Sequence, residues 1–397
     1  MKRNGIRILV FLAAALLALQ ILPGHPSARA LTAWSPLMSL LGGLAARAFS
    51  VWMLLGIPVL VLGWFRCRWF CRYVCPMGFA AEAIGRLNPK ARGRFARLPN
   101  IGRLLLLGMV GGALLGYPLF MWLDPLALFT GFFSGWRLPL AASSFVLVLG
   151  FLGILGISLV RPNAWCHRLC PLGAAQDLLM AARRQWRFRR ESASADAFQL
   201  ALTRRDFLGV AAGGAAALLM RRVGALPPPV RPPGARPEDQ FTGLCARCGA
   251  CIRACPSRVI RPDFGKSGLA GLLTPVLDYS EAYCFEYCHE CTQVCPTGAI
   301  EKLLLESKRH RAIGLAEVDR DTCLAWHDRQ YCMVCQEFCP YLAINSVVHR
   351  GVNCPVVKPD MCRGCGACHV HCPARPDKAI VVRGLAQRPA RPLADIL

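Results

Sequence analysis

Acidic residues are scarce in this chain of 397 residues: 23 Asp and Glu stand against 47 Lys and Arg. The resulting formal charge of +24 suggests a nucleic-acid partner, but its distribution argues against one. Residues 1–241 carry a net +20 and residues 242–397 a net +4. The excess lies between apolar runs, as it does in the cytoplasmic loops of membrane proteins. Histidine is scarcer still, with 8 in the chain and none inside a long apolar run. That excludes a transmembrane b-type haem, whose axial ligands sit within helices. Charged residues make up 18% of the chain against 54% hydrophobic, and the mean hydropathy of +0.38 is too high for a chain that is only soluble and globular. Cysteine, by contrast, is abundant, with 22 residues. That number excludes an ordinary reduced cytosolic enzyme, and the length excludes a small disulfide scaffold.

Four stretches lack charge for long enough to predict membrane spans: 8–24, 48–65, 104–123 and 138–160. Nine Arg and Lys in 66–103 and nine in 161–206, against two in 25–47 and one in 124–137, predict cytoplasmic basic loops and a cytoplasmic N-terminus. Trp34, Trp52, Trp64, Trp122 and Trp136 fall near the ends of these runs, as an aromatic belt would. The two basic loops hold a repeat, C-x-x-x-C-P-[M/L]-G, at Cys71/Cys75 and at Cys166/Cys170. Cysteines four apart share a helix face, so two such pairs present four thiolates to one metal centre, a further iron–sulfur centre beside those below. Thiol–disulfide exchange is the competing reading. Cys67 has no counterpart in the second copy.

Arg204-Arg205-Asp206 opens a fifth apolar stretch, Phe207 to Met220, too short for a span and shaped like the core of an export signal. The paired arginine resembles a twin-arginine element, and Val223-Gly224-Ala225 offers a small-residue cleavage site. Six prolines between Leu226 and Glu238 predict a stiff, extended linker.

Four cysteine groups follow: Cys245, Cys248, Cys251, Cys255; Cys284, Cys288, Cys291, Cys295; Cys323, Cys332, Cys335, Cys339; and Cys362, Cys365, Cys368, Cys372. Each ends in Cys-Pro, and the first and fourth are C-x2-C-x2-C-x3-C-P without change. Three close-set thiolates wrap one cubane, and the fourth, starting a new element, reaches a second cubane. Sixteen cysteines thus predict four [4Fe–4S] clusters. The groups pair either one with four around two and three, or one with two and three with four; spacing leaves both open. Asp321 and His327 are alternatives to Cys323 as a ligand. Zinc would call for paired C-x2-C knuckles instead, and the C-x-x-C-H at Cys365–His369 is a haem pattern inside a ferredoxin run. Cys354 lies outside every group. Four clusters at about −2 each would turn the +4 of residues 242–397 negative, which removes the case for nucleic acid.

Residues 1–200, on their runs and the Cys71/Cys75 and Cys166/Cys170 motifs, resemble the NapH-type membrane component of quinol dehydrogenases. Residues 203–380, on the twin-arginine element and the four cysteine groups, resemble the NapG-type periplasmic ferredoxin, and the MauM/MauN pair has the same layout. The chain resembles a fusion of the two. The expected architecture is an α-helical membrane bundle of four spans (1–200) plus a short signal-like helix (201–225), a Pro-rich linker (226–241) and an α+β ferredoxin-like domain with four clusters (242–397). The resemblance implies a protein of the bacterial inner membrane with its ferredoxin domain in the periplasm. It would pass electrons from quinol to a c-type cytochrome or a terminal reductase such as nitrate reductase. It also admits a maturation or metal-reduction factor of the MauM/MauN, NosR or CcoG kind.

Overall fold

A computed structural model of the chain describes residues 2–19, 30–48, 51–88, 98–135, 142–191, 204–222 and 228–385. The chain divides into two compact units. Met1–Val223, with Asp239–Ala250 and Pro296–Ala299, forms a helical unit; Gly224–Glu238, Cys251–Cys295 and Ile300–Leu397 form a cysteine-rich one.

The principal helices of the first unit are α1 (Lys2–Leu19), α2 (Pro36–Ala46), α3 (Ile57–Phe65), α4 (Pro76–Gly85), α5 (Ile101–Leu114), α6 (Pro125–Gly135), α7 (Ala142–Val160), α8 (Pro171–Glu191) and α9 (Arg204–Arg222). Among the described residues no helix is long and apolar enough to cross a membrane. The expected four-span bundle is therefore corrected, and the reason lies in what interrupts the charge-free runs. In the first, α1 begins among Lys2, Arg3 and Arg7 and stops at Leu19. The second splits into a 3-10 turn, Val51–Gly56, and the nine residues of α3, which start at Ile57-Pro58. Nine helical residues rise about 14 Å, against about 30 Å of hydrocarbon. The third ends with α5 at Leu114 and turns at Gly116, whose φ is +79°, ahead of Pro118. The fourth forms α7, whose side chains 142–148 lie outside the described residues. Trp136, the side chain of Trp52 and the Val223-Gly224-Ala225 site also lie outside them.

The signal-like stretch forms α9 and packs on α5 along a glycine seam. A Cβ on Gly213 would lie 2.4 Å from the Gly108 Cα, and one on Gly111 2.0 Å from the Val210 carbonyl oxygen. The contact is backbone to backbone, so small residues set it. Asp206, the residue after the paired arginine, is buried and pairs with Arg103 at 2.6 Å. At the far end Arg221 pairs with Asp239 at 2.8 Å and donates to the Leu115 carbonyl.

Asp124 begins α6, where its carboxylate accepts N–H bonds from Leu126 at 2.9 Å and Ala127 at 3.3 Å, and the hydroxyl of Ser35. Full burial nevertheless raises its pKa to about 6, the bonds from Ser35, Leu126 and Ala127 opposing the rise. An acid whose native pKa lies above the ordinary value holds its proton better folded than unfolded. Its contribution is complete below about pH 4 and is lost as pH rises through about 6. Asp124→Asn keeps the capping geometry and is expected to raise stability at pH 8 by up to about 3 kcal/mol, with no gain at pH 4. Denaturant melts at the two pH values check this; an equal effect at both would contradict it.

The second unit is α+β, built on three two-stranded antiparallel ladders. β1 (Ile260–Pro262) pairs with β2 (Pro275–Leu277), β3 (Gly314–Val318) with β6 (Ile380–Gly384), and β4 (Ile344–His349) with β5 (Val352–Val357). Of the Ala-Ile pairs after the last three Cys-Pro steps, Ile300, Ala343, Ile344, Ala379 and Ile380 are buried in this unit, and Ala299 belongs to the first. The proline-rich segment differs from the stiff linker expected. Val230 to Ala235 are buried, and the segment bonds to both sides of the unit, Leu277 N–H to the Val230 carbonyl at 2.9 Å and Glu301 N–H to the Gly234 carbonyl at 2.7 Å. The cause is Arg231, which has no exposed surface. It donates to Thr274 Oγ1 at 2.7 Å and the Pro275 carbonyl at 2.9 Å, and pairs with Glu238. Arg231→Met would remove the ion pair to Glu238 and the bonds to Thr274 and Pro275 and is expected to cost about 3–5 kcal/mol, read from denaturant unfolding; a loss under 1 kcal/mol would show that the strap is passive.

Candidate iron–sulfur centres

In the second unit the field each thiol feels shows which cysteines lie together. Burial raises Cys284 to about 11; Lys308 opposes the rise, and Cys255 and Cys288 add to it. Cys291 and Cys288 are raised by burial too, with Cys255 again among their neighbours. The last cysteine of group one thus joins the first three of group two. Burial raises Cys335 to about 12, with Cys323, Cys332 and Cys372 adding to it, and those four thiols line one cavity. Cys368 is raised by burial, then by Cys365, Cys362 and Cys339, and these four line another. Groups three and four therefore exchange their last cysteines. Groups three and four are paired, and Cys255 of group one stands with group two.

Local structure explains the exchange. Each last cysteine follows a short helix: Cys339 follows Val334–Glu337, and Cys372 follows Ala367–His371. The next proline cannot continue it, so the chain leaves at that point and carries the thiol away from its own loop. Backbone N–H groups then point at the sulfurs: Ala343 to Cys339 at 3.3 Å, Ile300 to Cys295 at 3.4 Å and Ala316 to Cys362 at 3.5 Å. Cys323 lines the cavity with Cys332, Cys335 and Cys372, and the His327 side chain, 63% exposed, stays outside it. Cys365 and Cys368 belong to a thiol quartet rather than a haem attachment site. Cys354 is fully buried in β5, donating to the Ala325 carbonyl at 3.4 Å.

In the first unit the two C-x-x-x-C-P motifs face each other. Cys75 is raised by burial and then by Cys71 and Cys166; Cys170 is raised by burial and then by Cys71, Cys166 and Cys75. Burial brings Cys71 to about 11 and Cys166 to about 12. The motif residues each have a mechanical task. Cys75 is the N-cap of α4, its sulfur accepting the Gly78 N–H at 3.4 Å, and Cys170 stands in the same relation to α8 and Gly173. Pro76 and Pro171 take the first helical position, where a missing N–H costs nothing. The glycine lets the helix pass over the preceding turn: a Cβ on Gly78 would lie 2.8 Å from the Cys71 carbonyl oxygen, and one on Gly173 2.6 Å from that of Cys166. Gly173→Ala is expected to push the Cys166 loop off its position and lose about four irons from the purified chain; an unchanged iron content would show that the loop tolerates it.

The repeat runs deeper than the cysteines. Glu82 and Asp177 stand seven residues after Cys75 and Cys170. Arg68 and Asn163 stand three before Cys71 and Cys166, both with positive φ, 52° and 65°. Arg68 crosses from one copy to the other, donating to Asp177 at 2.7 Å and to the Cys166 carbonyl at 2.8 Å. Gln176, nearly fully buried, donates to the Cys71 sulfur at 3.3 Å. The shared carboxylate was a readable signal; Gln176 was not, since Ala81 takes its place in the first copy.

Among the described residues no group of three or more His, Cys, Asp or Glu has the spacing of a single-ion site. A cubane sets each thiolate on its own iron corner, so its ligands stand farther apart than around one zinc. Four soft donors around a common space, with backbone N–H groups aimed at sulfur, suit such a cluster.

A family model described as a 4Fe-4S dicluster domain matches residues 244–299, and one described as a 4Fe-4S binding domain matches residues 49–94 and 143–189. The methylamine utilization ferredoxin-type protein MauM of Methylorubrum extorquens is 36% identical over 36% of this chain and 67% of its own length. The ferredoxin-type proteins NapG and NapF of Escherichia coli are 36% and 34% identical, each over 36% of this chain, covering 65% and 80% of their own lengths. No solved structure matches. Interleaved thiol quartets and these matches define a [4Fe–4S] protein of ferredoxin type. The chain belongs to the family of ferredoxin-type proteins that includes MauM, NapG and NapF.

Proposed function

We propose that the chain is an electron relay that takes electrons from quinol and delivers them to a periplasmic acceptor, a c-type cytochrome or a terminal reductase. The observation that carries this reading is the exchange of last cysteines between neighbouring groups. A chain segment a few residues long then links each cluster of a pair to the other, which suits short electron hops. The sixteen cysteines of the four groups supply four clusters, and Cys71, Cys75, Cys166 and Cys170 hold a fifth. The clusters supply one-electron chemistry; the chain's own residues bury them, aim N–H groups at the sulfurs and fix their spacing. The Arg204-Arg205 element directs export of the cysteine-rich unit after its clusters are built. The test is iron and acid-labile sulfide in the full chain purified without oxygen. About twenty irons support five clusters, about sixteen remove the fifth, and zinc in their place overturns the reading. A maturation role is the second reading, favoured by likeness to proteins named for methylamine utilization; it predicts clusters that quinol does not reduce.

A further inference from the structure

Beside the four thiols of the helical unit lies a solvent-open cavity of about 710 Å³, within the roughly 300–1,000 Å³ of small-molecule sites. It is built twice over by the internal repeat. Matching positions of the two copies line it in pairs: Arg68 with Asn163, Cys71 with Cys166, Arg72 with His167, and Glu82 with Asp177. Cys75 and Cys170 are buried and do not reach it, so only the first cysteine of each motif, Cys71 and Cys166, faces the cavity.

The charges lining the cavity are unequal. Arg7, Arg68, Arg72 and Arg86 face two carboxylates. Asp177 is held by Arg68, and Glu82 is shared by Arg7 at 2.7 Å and Arg86 at 2.8 Å. Arg72 is exposed, and among the described residues it has no ion-pair partner. Half of the Arg86 side chain is open to solvent. Guanidinium groups match carboxylate and phosphate oxygens in geometry as well as charge. The size suits a small molecule, and a wall of ionic side chains suits a polar one.

We propose that this cavity binds a small anionic molecule, one carrying phosphate or carboxylate oxygens, which docks on Arg72 and Arg86 against the first cysteines of the two repeats. The site stands independently of whether the centre beside it carries electrons. It also gives Cys67 a place, since this exposed thiol lies in the same cavity and reports on its occupancy.

The experiment uses the full chain with its clusters loaded. Cys67 is alkylated with iodoacetamide, a neutral reagent, and the rate is read by peptide mass spectrometry with pyrophosphate as the probe and spermidine as the cationic control. Pyrophosphate is expected to slow labelling at least fivefold, with saturation. The half-effective concentration is expected to rise about tenfold in Arg72→Gln and in Arg86→Gln, both on the rim and at no thiol. Iron content and cluster absorption remain those of the parent, which separates failure of this site from failure of the relay. No protection, equal protection by spermidine, or equal half-effective concentrations in parent and variants would overturn the proposal.

Discussion

Cys372→Ser is expected to remove the cluster of the third cysteine group and leave that of its own group in place. Cys372 shares a cavity with Cys323, Cys332 and Cys335, while Cys362, Cys365 and Cys368 share theirs with Cys339. The reciprocal change, Cys339→Ser, is expected to remove the fourth group's cluster. Each change should lower the iron content by about four, and the two variants should lose different paramagnetic signals on reduction. The decisive comparison sets Cys372→Ser against Cys335→Ser: exchanged ligands make these two spectra alike. Were ligands not exchanged, Cys372→Ser would resemble Cys365→Ser instead.

Cys71→Ser and Cys166→Ser, placed 95 residues apart in sequence, are expected to remove one and the same centre. Each should lose about four irons, and the double variant no more than either single. Such complete non-additivity is the mark of residues that act on one shared structure. Two independent centres would predict a doubled loss in the double variant. Arg68 and Gln176 join the copies through Asp177 and the Cys71 sulfur. Gln176→Ala is therefore expected to shift the potential of this centre while the other clusters keep theirs.

The cysteine groups were legible in the sequence because cluster chemistry demands a fixed local spacing, and Cys-Pro marks each exit from a loop. Pairing was not legible. It depends on where Cys255, Cys339 and Cys372 travel after those exits, and a tripeptide gap says nothing of that. The C-x-x-x-C-P repeat was visible as cysteines. The matching carboxylates Glu82 and Asp177 went unread because a lone acid in a basic loop carries no pattern until the copies are superposed. The four charge-free runs misled for a simple reason: absence of charge measures apolarity along the chain and not helical continuity. Val51–Gly56, Pro58 and the turn at Gly116 break runs that hydropathy reads as whole. The proline-rich segment failed in the same way. Its composition suits an extended chain, and Arg231, through Thr274, Pro275 and Glu238, fastens it into the second unit together with the backbone bonds at Val230 and Gly234.

The most direct measurement is anaerobic mixing of the full, cluster-loaded chain with menaquinol or ubiquinol, followed by absorbance and by paramagnetic resonance of frozen samples. An electron relay is expected to bleach the cluster absorption and develop the signals of interacting reduced clusters, then to return to the oxidised spectrum when a c-type cytochrome is added. Clusters that dithionite reduces and neither quinol does would contradict it.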